Sequence, residues 1–201
     1  MDTARLVQHA LLGHPAIEAV RLVGSRARGK PTPFSDWDFE IATDQFDVVA
    51  EALPALVRPL RPIAQQWDRL SRHWTYMLVL EGPEKVDLLL GESHRMEGPW
   101  TASAETLTGI DDQFWDWMLW LLAKEAAGSP QVVGVELDLL LEHILEPMGV
   151  TQHPANIDGA VESYLEARAT QERIHHVQIS MTLQDEVQKA FERRQRHSRP
   201  R

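Results

Sequence analysis

The sequence predicts an α+β protein: an N-terminal mixed β-sheet domain with flanking helices over residues 1–98, then a C-terminal helical bundle over residues 99–201. Three observations carry the prediction. Apolar runs of strand character crowd the first half, between residues 17 and 90. A turn signal, Glu81-Gly82-Pro83-Glu84, separates two of these runs and marks a hairpin. Past Gly98-Pro99 the strand signal stops and helical periodicity takes over.

Taken in order, residues 2–12 read as a short helix with Leu6, Ala10 and Leu11 as its apolar stripe. Residues 17–23 read as the first strand and 34–42 as the second, joined by a loop rich in Gly, Pro and Arg. Residues 47–60 read as a helix that Pro54 either sits within or breaks. Residues 65–67 are a candidate short strand, and 75–80 and 85–90 are the arms of the hairpin. In the second half, residues 111–127 form the first long helix, with Asp111 or Asp112 as its cap and Gly128-Ser129-Pro130 as its stop. Residues 132–146 follow, stopped by Pro147. Residues 158–180 and 183–194 complete a bundle of four helices, or five if the third is broken.

The chain has 201 residues and no cysteine, which leaves neither disulfides nor thiolate metal sites. A hydrophobic fraction of 43% suits a globular chain with a real core. The polar N-terminus lacks the apolar core of a signal peptide, and no apolar run approaches membrane-spanning length. A cytoplasmic protein with no membrane contact is expected. Twenty basic against thirty acidic residues give a formal charge of −10, which weighs against a nucleic acid partner. The same charge suits a cationic small molecule, which an acidic cleft would concentrate. The basic run at residues 193–201 reads as a frayed terminus.

The chemistry concentrates where the first strand ends. A hydrophobic run closes in Gly24-Ser25, a loop follows, and Asp36 and Asp38 then alternate with large apolar residues. Alternation of period two puts both carboxylates on one face of a strand, a hard-oxygen site suited to Mg²⁺. The Gly-Ser turn offers backbone N–H groups and a hydroxyl to a phosphate. Together these parts read as a metal-dependent nucleotide site. Asp87 adds a third carboxylate amid a strand, flanked by Val86 and Leu88. A carboxylate there is costly without a partner, and a metal would justify it. If its strand lies beside that of Asp36 and Asp38, the triad can hold two Mg²⁺ ions bridging a triphosphate, with Asp87 also available as a general base.

Gly24-Ser25-Arg26-Ala27-Arg28-Gly29, then Ser35-Asp36-Trp37-Asp38, then Val86-Asp87-Leu88 resembles the signature of the polymerase-β-like nucleotidyltransferase superfamily. The resemblance spans roughly residues 17–91 and is to the small bacterial branch, which holds the aminoglycoside nucleotidyltransferases and the minimal nucleotidyltransferases. It implies an enzyme that moves an NMP, AMP above all, from ATP or another NTP to a hydroxyl of a small molecule, an aminoglycoside being the obvious class. It implies that Gly24 and Ser25 hold the β- and γ-phosphates, and that Asp36 and Asp38 bind two metal ions. Asp87 completes that metal site or acts as base. Lys124 is implied as a phosphate contact from the helical half. Two other readings stand beside this one: an antitoxin-like protein that binds or AMPylates a protein partner, and a nucleotide-binding module without turnover. A homodimer is compatible with all three.

Other residues have two readings each. Arg26 and Arg28 are phosphate clamps or loop solvation. Trp115, Trp117 and Trp120 read first as core and second as a stacking surface. Glu136, Asp138 and Glu142 are contacts to a cationic acceptor or a solvated helix face. Glu40 shares the alternation of Asp36 and Asp38 and is left unassigned. His175 and His176 lack ligand spacing.

Overall fold

A computed structural model of the chain describes residues 3–94 and 96–197; of the basic run, residues 198–201 lie outside the described residues. The chain divides into two compact units, Met1–Met96 and Glu97–Arg201. The architecture is α+β, with a mixed sheet and flanking helices in the first unit and helices in the second.

The first unit runs α1 (Thr3–Leu11), β1 (Ala19–Leu22), a one-turn helix α2 (Gly24–Ala27), β2 (Trp37–Ala42), α3 (Phe46–Val57), β3 (Ala64–Trp67), β4 (His73–Leu80) and β5 (Glu84–Ser93). The five strands are ordered β1-β2-β5-β4-β3. β2 and β5 are parallel, and the other neighbours are antiparallel. β4 and β5 form the expected hairpin, longer at both ends than the apolar runs indicate.

Alternation sorts the strand residues between two faces. Phe39, Ile41, Tyr76, Leu78, Val86, Leu88 and Leu90 point one way and are buried with Val7 and Leu11 of α1 and Val49, Leu53 and Val57 of α3. This is the core of the unit, with both helices on one side of the sheet. Pro54 sits within α3 without ending it. It forfeits one backbone hydrogen bond, while three fully buried side chains spaced four residues apart hold the helix to the sheet. The helix gives way to a 3₁₀ turn only at Arg58–Leu60.

The second unit holds α4 (Leu107–Ala126), α5 (Pro130–Leu140), α6 (Ile157–His175) and α7 (Thr182–His197), four α-helices among the described residues. α5 runs into a π-helical turn, Leu141–Leu145, before Pro147. α4 begins a turn earlier than expected, so Asp111 is not its cap. Its carboxylate is buried instead, accepting from Tyr164 Oη at 2.8 Å, Trp115 Nε1 at 3.2 Å and Arg168 Nη1 at 3.1 Å. Arg168 is itself almost wholly buried and also donates to Gln184 and the Ile179 carbonyl. A buried ion pair satisfied this fully defines which helix faces meet more than it adds stability. Among the described residues no helix is long and apolar enough to cross a membrane.

Asp112, half-buried on the next position, has no such partners. Burial pushes its carboxyl up to about 7, with the Asp111 charge adding to the effect. The folded chain then keeps the proton to higher pH than the unfolded chain, so stability falls as pH rises between about 4 and that value. The full linkage is about 4 kcal/mol, roughly halved by partial exposure. Asp112→Asn is therefore expected to gain about 2 kcal/mol at pH 8 and almost nothing near pH 4. Urea melts at the two pH values check this, and an equal gain at both would remove the electrostatic cause.

Candidate functional site

On the sheet face opposite the core lie the residues the sequence singled out. Asp38 of β2 and Asp87 of β5 are direct neighbours across the parallel ladder. Their register partners one residue on, Phe39 and Leu88, belong to the core. Asp36 precedes β2 instead of lying in it, because the strand starts at Trp37. The sequence reading placed both aspartates within one strand, and the loop's own bonding explains the difference. Ser35 Oγ accepts from the Thr32 amide at 2.8 Å, closing a turn just before Asp36. The carbonyls of Ser35 and Asp36 are taken by Arg26 rather than by a neighbouring strand. Asp36 still joins the other two: one carboxylate oxygen from each of Asp36, Asp38 and Asp87 lies within 4.8 Å of the others. Three carboxylate oxygens this close form an all-oxygen donor set that would hold a hard divalent cation.

Gly24 and Ser25 open the one-turn helix α2, directly after β1. The Val23 amide bonds the Asp38 carbonyl at 2.8 Å, which ties this turn to the aspartate strand. Gly24 takes a left-handed backbone, φ +69°, and a Cβ built on it would stand 1.9 Å from Asp38 Oδ2. Glycine is required twice over here, by conformation and by space. Ser25 Oγ is buried and has no hydrogen-bond partner. An orphaned hydroxyl costs free energy, and a ligand oxygen is the kind of partner that would repay it.

Arg26 has a definite task in the structure. Its Nε donates to the carbonyls of Ser35 and Asp36, at 3.1 and 2.9 Å, and its guanidinium lies 3.9 Å from the centre of the Trp37 ring. It staples the Gly-Ser turn to the loop that presents Asp36. Arg28 is exposed. Glu40, one alternation step beyond Asp38, is exposed and paired with Arg21 at 3.8 Å.

Sequence reasoning missed Lys85. Its Nζ donates to Asp87 Oδ1 at 2.6 Å, and both side chains are buried. The signal was available: Lys85 and Asp87 are two apart on one strand and so share a face. Burial pushes the Asp87 carboxyl above its ordinary range, and the Lys85 charge and hydrogen bond pull against that.

In the second unit, Lys124 lies on α4 with its ammonium 4.6 Å from the centre of the Trp120 ring. Trp115 and Trp117 are core residues, and Trp117 Nε1 donates to Glu136 at 3.2 Å. Asp138 pairs with His153 at 2.7 Å, and Glu142 is exposed.

No family model matches the chain. No curated protein matches it either. Among solved structures, an aminoglycoside 6-adenyltransferase from Bacillus subtilis is similar over 94% of this chain and 95% of its own, with 12% identity and a TM-score of 0.36. The polymerase core of TRAMP, an RNA surveillance complex, is similar over 85% of this chain and 55% of its own, with 12% identity and a TM-score of 0.35. Likeness at this level leaves the site's own geometry as the basis for reading function.

Proposed function

We propose that the chain is a Mg²⁺-dependent nucleotidyltransferase that moves an NMP, AMP first among them, from an NTP to a hydroxyl of a small molecule. One observation carries the reading: Asp38 and Asp87 from two parallel strands and Asp36 from the loop before β2 converge beside a turn in which glycine alone fits and a serine hydroxyl is left unpaired. The donor set is all oxygen, which suits Mg²⁺ and not a softer metal. Asp36, Asp38 and Asp87 would hold the metal, two ions in all. When bound, Mg²⁺ neutralises the phosphates and lowers the pKa of an attacking hydroxyl.

The chain's own residues account for the rest. Gly24 would let the backbone approach the β- and γ-phosphates, and Ser25 Oγ would donate to one of their oxygens. Arg26 would hold Asp36 in place through the backbone, as a positioning residue. Lys124 is the phosphate contact proposed from the second unit. An acceptor oxygen attacks the α-phosphorus, the bond to pyrophosphate breaks, and the acceptor proton passes to Asp87 or to water. Catalysis here is mostly positioning and charge compensation. The charge of −10 supports a cationic acceptor of the aminoglycoside kind over a nucleic acid.

The test is pyrophosphate release with Mg²⁺ and each of the four NTPs against a panel of aminoglycosides and lincosamides, with Asp36→Asn as the blank. Acceptor-dependent release that vanishes in the blank is the expected result. Release that persists in Asp36→Asn would remove the assignment.

A further inference from the structure

Lys85 is the charged group at the site that the proposed reaction leaves unused. Its side chain is 5% exposed, and its Nζ stands 2.6 Å from Asp87 Oδ1. It leaves β5 on the same face as Asp87, in the ladder that also carries Asp38. An ammonium buried this deeply must be compensated by charge. Asp87 is the partner that compensates it, and Asp87 is also one of the three carboxylates of the candidate metal cluster. One carboxylate of that cluster is therefore already paired with a cation.

The consequence follows from charge. Three carboxylates carry −3, and Lys85 brings the cluster to −2 before any metal arrives. A divalent ion at Asp87 must accept a neighbouring ammonium or displace it, and either lowers its affinity. An incoming triphosphate changes the balance, since it brings negative charge to the metal and offers the ammonium another anion.

Resting on the metal reading of the triad, we propose that Lys85 is a built-in competitor of the divalent cation at Asp87, making metal binding weak in the free chain and tight only with nucleotide. The device is a positioning residue that sets the order of loading. Its alternative is a fixed strut that supports Asp87 in every state.

Mn²⁺ binding to the full chain, followed by electron paramagnetic resonance with and without a non-hydrolysable NTP analogue, separates the two. Lys85→Met is expected to bind Mn²⁺ roughly tenfold tighter than wild type without nucleotide, and to gain less from the analogue. Unchanged or weaker binding in the folded variant would overturn the proposal. Lys85→Gln keeps a donor to Asp87 and serves as the second variant. In wild type, the ¹⁵Nζ signal of a carboxylate-held ammonium should shift or broaden as Mg²⁺ is added; a signal unmoved at saturation would also overturn it. Wild type that binds no Mn²⁺ even with the analogue sinks the metal reading and the proposal together. Mn²⁺ bound by wild type, lost in Asp38→Asn and indifferent to Lys85→Met, sinks the proposal alone.

Discussion

Asp38→Asn is expected to lower nucleotidyl transfer on the order of a thousandfold or more while leaving the fold intact. Asp38 is the central member of the triad. It is the ladder neighbour of Asp87 and the residue against which Gly24 closes. Asparagine matches its shape, so the close packing against Gly24 survives. What is lost is a negative charge aimed at a hard cation, and a neutral amide oxygen is a far poorer Mg²⁺ ligand. The effect on folding has the opposite sign. Three carboxylates within 4.8 Å repel one another, relieved in part by Lys85 and Arg26, so removing one charge stabilises the metal-free chain or leaves it unchanged. With a non-hydrolysable NTP analogue present, added Mg²⁺ should then raise the melting temperature of wild type and not of the variant, because a ligand stabilises only the state that binds it. Pyrophosphate release and paired melts with and without Mg²⁺ check both halves. Turnover within tenfold of wild type would take Asp38 out of the site.

The same residues show how far a sequence of this kind can be read. The hairpin and the meeting of Asp38 with Asp87 follow from periodicity and from the cost of an unpartnered strand carboxylate. That logic is local, and the parallel pairing of β2 with β5 satisfies it without further information. Where the reading fell short, the cause was non-local. Asp36 lies ahead of its strand because Arg26, ten positions away, takes the carbonyls a ladder would have used. Asp111 looked like a cap because an acidic residue at a helix start usually is one. Two of its three partners, Tyr164 and Arg168, come from a helix fifty-three and fifty-seven residues on, beyond the reach of any short window. Lys85 was legible in principle. Its alternation with Asp87 was as clear as that of Asp36 with Asp38, but a lysine next to a turn reads as solvated. Only its burial shows that it is part of the site.

Gly24→Ala is expected to cost activity a hundredfold or more, and to do so through Asp38. Two penalties fall on that substitution and can be separated. The first is conformational: φ +69° is left-handed, which costs a non-glycine residue about 1–2 kcal/mol. The second is steric: the new methyl would stand 1.9 Å from Asp38 Oδ2, 2.9 Å from its Cγ and 3.3 Å from its Cβ. The carboxylate can swing away, which relieves the clash but moves an oxygen of the candidate metal cluster by about an ångström. Gly29 supplies the control. It too is left-handed, φ +67°, but nothing stands within 4 Å of a Cβ built there. Gly29→Ala should therefore show the loss of stability without the loss of turnover, whereas Gly24→Ala shows both. Urea melts of the two variants should agree within about 1 kcal/mol, since both carry the same backbone strain. Their rates of pyrophosphate release should differ by the full hundredfold. Rates that agree within about threefold would mean that the space beside Asp38 has no part in the reaction, and that Gly24 is there for the turn alone.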